Sequence, residues 1–172
     1  MAVFFITENY IKIKTPITRN VDVNEVTPFV ESVANRRIQP ICGSHFYNDL
    51  LTKYNAQTLS ANETTLVELI QPCVAWYAAA EACLSLSYQL KNKGIQKQNG
   101  DFSEAVSKDE ILLMYDHYQS DAAFYEQRIR QYLKDNGDLF TEYTSTDNTD
   151  SDMKPDKNTQ TNTGYTNQIT II

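Results

Sequence analysis

Two stretches of the chain repeat apolar residues at alternating spacings of four and three, and this repeat restricts the fold more than any other feature. The first stretch carries Leu66, Ile70, Cys73, Tyr77, Ala80, Leu84 and Ser87, and the second carries Ile111, Tyr115, Tyr118, Ala122, Tyr125, Ile129 and Tyr132. Such spacing places the side chains on one face of an α-helix. Two helices of roughly 30 residues, each about 45 Å long, predict an elongated helical bundle in which these faces pack together.

Capping residues predict where the long helices begin and end. Ser60 and Glu63 form a capping box before the first helix, since the serine oxygen and the glutamate can each satisfy an unpaired backbone N–H. Ser107 and Asp109 begin the second helix, and Asn136-Gly137 ends it. On the outer, charged face of the second helix, Glu126 and Arg130 lie one turn apart as a favourable ion pair.

The first long helix contains a proline, and a turn motif follows it. Pro72 removes one backbone hydrogen bond, so we expect a kink or a break there. Lys91, Lys93 and Gly94 are typical of a helix end. Asn99-Gly100 then favours a tight turn between Ile95 to Gln98 and Asp101 to Ser103, which predicts a small β-hairpin between the helices.

The N-terminal third contains an extended segment and two shorter helices. Residues 3–14 form a β-prone run, which predicts a strand or an extended arm. The next helix starts at Asp22 or at Thr27-Pro28, two alternatives that remain open. Its apolar face contains Val26, Phe29, Val30, Val33 and Ile38. Pro40 and Gly43 end that segment, and Ser44 opens a short helix.

The C-terminal part differs from the rest in composition. From Thr141 to Gln168 the residues are mostly Thr, Asn, Asp, Ser and Lys, and such a segment cannot fold alone. Ile169-Thr170-Ile171-Ile172 is a β-prone apolar end that predicts a strand docking on a sheet edge. The chain is thus predicted to be mainly α, with an extended N-terminal arm over residues 1–20, a helical domain over 21–140 and an extended tail over 141–172.

Charge and cysteine content exclude several classes of function. The formal net charge of −7 disfavours nucleic-acid binding, which needs clustered cations. The adjacent Arg36 and Arg37 fit a solvated helix face or an ion pair with a neighbouring subunit. Cys73 and Cys83 are about 15 Å apart along one helix, which is too far for a disulfide, so we expect reduced thiols. The interrupted apolar start predicts neither a secretion signal nor a membrane span.

No set of residues predicts catalysis, and we expect no enzyme, metal or cofactor. Cys42 and His45 have metal-like spacing, but a structural zinc site normally needs four ligands. Glu81 lacks the histidine that a di-iron helix bundle requires, so a tyrosine or a subunit interface is its expected partner. Asp116 and His117 are adjacent on a helix and point about 100° apart.

Several segments between residues 4 and 136 resemble the head-to-tail connector proteins of tailed bacteriophages, the adaptor class that docks beneath the portal. The resemblance is closest to those of crAss-like phages that infect Bacteroidetes. It rests on Phe5-Ile6-Thr7, Arg37-Ile38-Gln39-Pro40-Ile41 before Cys42-Gly43, the helix through Tyr47 and Leu50, the Trp76-Tyr77 helix, the Asn92-Lys93-Gly94-Ile95 loop, and the helix through Tyr125 and Tyr132-Leu133. The tail beyond Thr141 departs from this pattern.

The resemblance implies a structural virion component. Such a protein forms a ring, usually a dodecamer, between the portal protein and the tail or further neck proteins, and is assembled in the host cytoplasm. Double-stranded DNA would pass through the channel without sequence-specific binding, and an acidic wall fits that role because it repels phosphates. No membrane is implied. The alternatives are a small helical enzyme or ligand-binding bundle using Glu81 and His117, and a cellular helical interaction domain.

Attachment to partners is expected at the arm, the hairpin, the tyrosine stripe and the tail. Tyrosines at such positions suit a protein interface as well as they suit a core. The candidate partner-binding residues are Phe5, Tyr10, Ile95, Phe102, Tyr115, Tyr118, Tyr125, Tyr165, Ile169, Ile171 and Ile172.

Overall fold

A computed structural model of the protein describes residues 4–17, 21–91, 94–97, 107–144 and 153–156. This part of the chain is mainly helical, as predicted. In chain order the elements are α1 (Glu8–Lys14), α2 (Val23–Val33), a π-helical turn (Ala34–Ile38), α3 (Gln39–Cys42), α4 (Ser44–Ala56), α5 (Ala61–Ser87), β1 (Tyr88–Lys91), β2 (Gly94–Lys97), α6 (Lys108–Asn136), a 3₁₀ turn (Gly137–Leu139) and α7 (Thr141–Thr144).

The two long helices are the predicted ones, and they pack antiparallel. The Tyr132 hydroxyl, near the end of α6, donates to the carbonyl of Asn62 at the start of α5. Farther along, the Trp76 and Tyr118 rings are 5.5 Å apart. The predicted stripe lies in this seam. Its α6 tyrosines and Leu84 are half-buried, and its buried members are Leu66, Ile70, Cys73, Tyr77, Ala80, Ile111, Ala122 and Ile129. The helical-bundle prediction is confirmed for this pair of helices.

The capping box predicted at Ser60 and Glu63 is present, and a second one lies at the predicted start of α6. The Ser60 N–H donates to Glu63 Oε2 at 2.7 Å, and the Glu63 N–H donates to Ser60 Oγ at 3.3 Å. Ser107 and Glu110 make the same reciprocal pair at the start of α6. At the start of α2 the Asp22 side chain accepts from the Asn24 N–H, so Asp22 is the cap. The alternative start at Thr27-Pro28 is wrong, because Pro28 lies inside the helix.

Helix α5 continues through Pro72, so the predicted break is wrong. Within the described residues, one helical stretch, Ala61–Leu86 of α5, is long and apolar enough to cross a membrane. Half of its most apolar window is buried inside the fold. That burial is what a central helix between α1, α2 and α6 requires, since it touches protein on several sides.

The predicted N-terminal strand is wrong, because residues 8–14 form helix α1. Thr7 caps it by accepting from the Tyr10 N–H, and Lys12 pairs with Glu8 one turn earlier. Before the helix, Phe5 and Ile6 are buried in the core. The Phe5 carbonyl accepts from Gln71 Nε2 at 2.9 Å. These tertiary contacts hold the segment against α5, so it is not an extended arm.

The first long helix ends earlier than predicted, at Ser87 instead of near Gly94. Residues that were expected to complete the helix form β1, which pairs antiparallel with β2 in the register Tyr88 to Lys97 and Lys91 to Gly94. The predicted turn at Asn99-Gly100 lies outside the described residues. So do Phe102, Tyr165 and the predicted strand Ile169 to Ile172.

The predicted boundary at residue 141 cuts through the core. Phe140 and Tyr143 are buried against Phe46 of α4, with ring centroids 5.1 and 5.8 Å from it. Tyr143 belongs to α7. The helical body therefore extends past residue 140, because the aromatic side chains that follow α6 return to cover α4.

Candidate interaction surfaces

The outer face of α6 carries two large apolar side chains in solvent. Leu113 is 72% exposed and Phe124 is 57% exposed. They are eleven residues apart, which places them within about 20° of each other around the helix and about 16 Å apart along it. The exposed Ser120 lies between them on the same line. We call Leu113, Ser120 and Phe124 the α6 ridge.

The two ends of the ridge differ in charge. Around Leu113 the exposed residues include Asp109, Glu110 and Asp116. At the other end the Arg128 guanidinium lies 5.9 Å from the centroid of the Phe124 ring. At this end of the ridge, the apolar Leu113 side chain is therefore surrounded by acidic side chains.

An apolar groove of about 290 Å³ lies on a second side of α6. It is lined by the almost fully buried Ala79 and Ala82 and by Pro16, Ile17, Cys83, Leu86, Met114 and Tyr118. We call this the α5–α6 groove. The lining of the groove contains no charged side chain. Lys14, two residues before Pro16, is exposed and has no ion pair with any described residue.

A polar network joins α5, α6 and the tail. The Tyr77 hydroxyl donates to Glu126 Oε2 at 2.8 Å, and Arg130 donates to Glu126 Oε1 and to Asp156 Oδ2 at 3.1 and 3.0 Å. Burial, reinforced by the Glu126 charge, raises the pKa of Tyr77, so the phenol stays protonated as the donor. The predicted Glu126–Arg130 pair is confirmed. Its extension to Tyr77 and Asp156 was not predicted, because no local spacing encodes it.

Residues 153–156 form a strap across the junction of α3 and α4. The Ser44 N–H donates to the Met153 carbonyl, and the Asp156 N–H donates to the Pro40 carbonyl, both at 2.9 Å. Pro155 lies so close to Gly43 that an added Cβ would come within 2.6 Å of its Cδ atom. Gly43 also has φ +78°, a value that favours glycine.

The residues considered for catalysis have structural partners. Glu81 forms an ion pair with Arg36, so its partner within the chain is an arginine and not the expected tyrosine. The His117 side chain is 72% exposed, with Nε2 3.9 Å from Asp121 Oδ2. Cys42 is buried, whereas His45 is exposed. Among the described residues no three His, Cys, Asp or Glu side chains are grouped to hold a metal ion, and none of the three cysteines forms a disulfide.

The predicted partner-binding residues occupy different environments. Phe5 is fully buried, with its ring centroid 5.5 Å from that of Tyr47. Tyr10, Tyr115, Tyr118 and Tyr125 are half-buried, and Ile95 lies in β2. Tyr118 is the predicted residue that the structure places in the α5–α6 groove.

The ridge was missed by sequence reasoning. The seven-residue pattern assigned α6 one apolar face and treated its other side as charged. Leu113 and Phe124 fall off that stripe, and an apolar residue off the stripe of an amphipathic helix was the available signal.

The described residues form a mainly helical body with exposed apolar side chains on α6. The sequence model of one family, described as "Family of unknown function (DUF6712)", matches residues 38–153, about two thirds of the chain. The chain belongs to this family. The match begins at Ile38, before α3, and ends at Met153, the first residue of the strap. Neither a curated protein nor a solved structure matches the chain.

Proposed function

We propose that the protein is a structural component of a tailed-phage particle: a ring-forming connector between portal and tail that extends the DNA channel. The main support for this proposal is the exposed apolar surface of α6. A helical chain of net charge −7 leaves an apolar ridge and an apolar groove uncovered on its longest helix. Exposed apolar surface of this kind is typical of subunits that are covered by other proteins.

The resemblance to phage connector proteins supplies the particular assembly, a ring of about a dozen copies between the portal protein and the tail or further neck proteins. The distribution of charge fits this role. Acidic side chains repel the phosphate backbone, so DNA can move through a channel without binding its wall. Subunit contacts must then rest on apolar and aromatic surface with local ion pairs.

The polar tail is a proposed attachment element, including the strand expected at Ile169 to Ile172. Its test requires a cut that leaves the core intact, and the buried Tyr143 and the strap show where that cut lies. Removing residues 157–172 should lower incorporation into particles while thermal unfolding of the isolated protein stays unchanged. Equal incorporation of the shortened chain would exclude the tail as an attachment element.

The direct test is chemical cross-linking of intact particles followed by mass spectrometry. The exposed Lys14, Lys108 and Lys134 sample three different helix ends. We expect links from these lysines to the portal protein and to neck or tail proteins. Links confined to this chain, or absence of the chain from particles, would overturn the connector proposal and favour a cellular interaction domain.

The enzymatic alternative has a separate test. Glu81 is paired with Arg36 and His117 is largely solvated, so the two residues on which that alternative depended have different partners. Metal analysis of the purified protein would revive it if a stoichiometric ion were found.

A further inference from the structure

The ridge and the groove face different directions on the same helix. Met114 and Tyr118, which line the groove, are rotated by about 100° and 140° around α6 from Leu113. Each copy therefore carries one convex and one concave apolar surface on different sides of α6.

The two surfaces are complementary in size and charge. A buried cavity of about 150 Å³ holds benzene, so a groove of about 290 Å³ has room for the Phe124 ring or the Leu113 side chain. The acidic surface around Leu113 suits Lys14, which is exposed two residues before the groove-lining Pro16.

We infer that the α6 ridge of one copy docks in the α5–α6 groove of the next copy. This contact joins two different surfaces, so it is heterologous, and a heterologous contact generates a ring when its rotation closes. The inference deepens the proposed function and rests on it for the closure into a ring. The contact itself depends on the exposure, shape and charge of the two surfaces.

A two-fold contact between two ridges fits less well. Such a contact would leave both grooves empty.

The native Cys83 in the groove allows a direct test. Ser120→Cys places a thiol on the ridge and leaves Leu113 and Phe124 intact, while Cys42 and Cys73 stay buried. The purified variant would be treated with a short bis-maleimide at high protein concentration. We expect a ladder of dimers, trimers and larger species, because each copy carries one ridge thiol and one groove thiol.

Two controls make the outcome decisive. The ladder should disappear in the S120C/C83S double variant, and Asn55→Cys, at an exposed position on α4, should give no ladder. Dimers that persist without Cys83 would show a two-fold ridge contact and overturn the inference. No product above the N55C background would also overturn it.

Ridge variants supply an independent readout. In the S120C background, changing Leu113 and Phe124 to Ser should reduce the ladder at least tenfold. Leu139→Ser is the matched control, since Leu139 is as exposed as Phe124 but lies off the ridge. If the bis-maleimide ladder is missing but particles show cross-links to the portal protein, only this contact between copies is refuted. If the ladder forms but particles show no such cross-links, only the connector function is refuted.

Discussion

The junction of α3, α4 and α7 and the outer side of α6 contain similar apolar residues but differ in what covers them. At the junction, Phe46 is covered by Phe140 and Tyr143, and Gly43 is covered by Pro155. On α6, Leu113 and Phe124 have one side in solvent. The difference shows that apolar residues form a core only where a later segment of the chain packs over them. Substitutions in the two regions test this contrast.

Phe46→Ala should destabilise the protein by about 3–5 kcal/mol, the usual cost of removing a buried aromatic side chain and leaving a cavity. Phe46 is fully buried and touches two other rings. Chemical denaturation monitored by circular dichroism measures the change. A loss below about 1 kcal/mol would mean that the aromatic cluster is not packed in solution.

Gly43→Ala should cost about 1–3 kcal/mol, because it adds a Cβ at positive φ and displaces Pro155. Hydrogen exchange at the Ser44 N–H, which donates to Met153, should accelerate. Pro155→Ala is the comparison variant, since it weakens the strap without straining Gly43. Equal stability of both variants would show that the backbone at Gly43 carries no strain.

Ser60→Ala should cost about 1 kcal/mol through loss of the α5 cap. Ser85→Ala provides the matched control, because Ser85 is exposed near the C-terminal end of the same helix. The midpoint of denaturation should fall for the cap variant and not for the control. Identical denaturation midpoints for the two variants would contradict the assignment of Ser60 as the cap of α5.

The Glu63 carboxylate should contribute a smaller, pH-dependent stabilisation. Burial opposes its charge, but hydrogen bonds from Lys53 and Ser60 outweigh burial and lower the pKa of Glu63. Its contribution is therefore present above the unfolded pKa of about 4.3 and is lost as the pH falls through the lower folded pKa. The stability difference between wild type and Glu63→Gln should shrink below pH about 4; a constant difference would contradict the shift.

Phe124→Ala should change the free energy of unfolding of the isolated chain by no more than about 0.5 kcal/mol, as expected for a surface substitution. The same change should weaken association between copies. A loss of stability comparable to that of Phe46→Ala would mean that Phe124 is covered within its own subunit, and the contrast between the two regions would fail.

The structural features that were predicted correctly are those determined by residues close together in the sequence. The stripe of α5 and α6, the capping box of Ser60 and Glu63 and the Glu126–Arg130 pair all depend on residues within one or two helical turns, and all were predicted. The errors involve distant contacts. Residues 8–14 are helical because Thr7 caps them while Phe5 and Ile6 are held in the core. Tyr143 is part of the helical domain because its ring packs against Phe46.

The interaction surfaces were harder to predict for a related reason. A periodic stripe shows which side of a helix is apolar, but it cannot show which apolar residue the remaining chain will leave uncovered. Tyr118 was identified because it lies on the stripe. Leu113 and Phe124 were not, since their exposure depends on where every other element packs.

The strap has a consequence for the order of events during synthesis. Its hydrogen bonds join Pro40 and Ser44, in the first third of the chain, to Met153 and Asp156 near the other end of the described residues. Contacts of such long sequence separation form late and slow folding. While residue 156 is still inside the ribosome, the junction beside Gly43 stays open, so a nascent copy cannot complete its body before nearly all of its described chain has emerged.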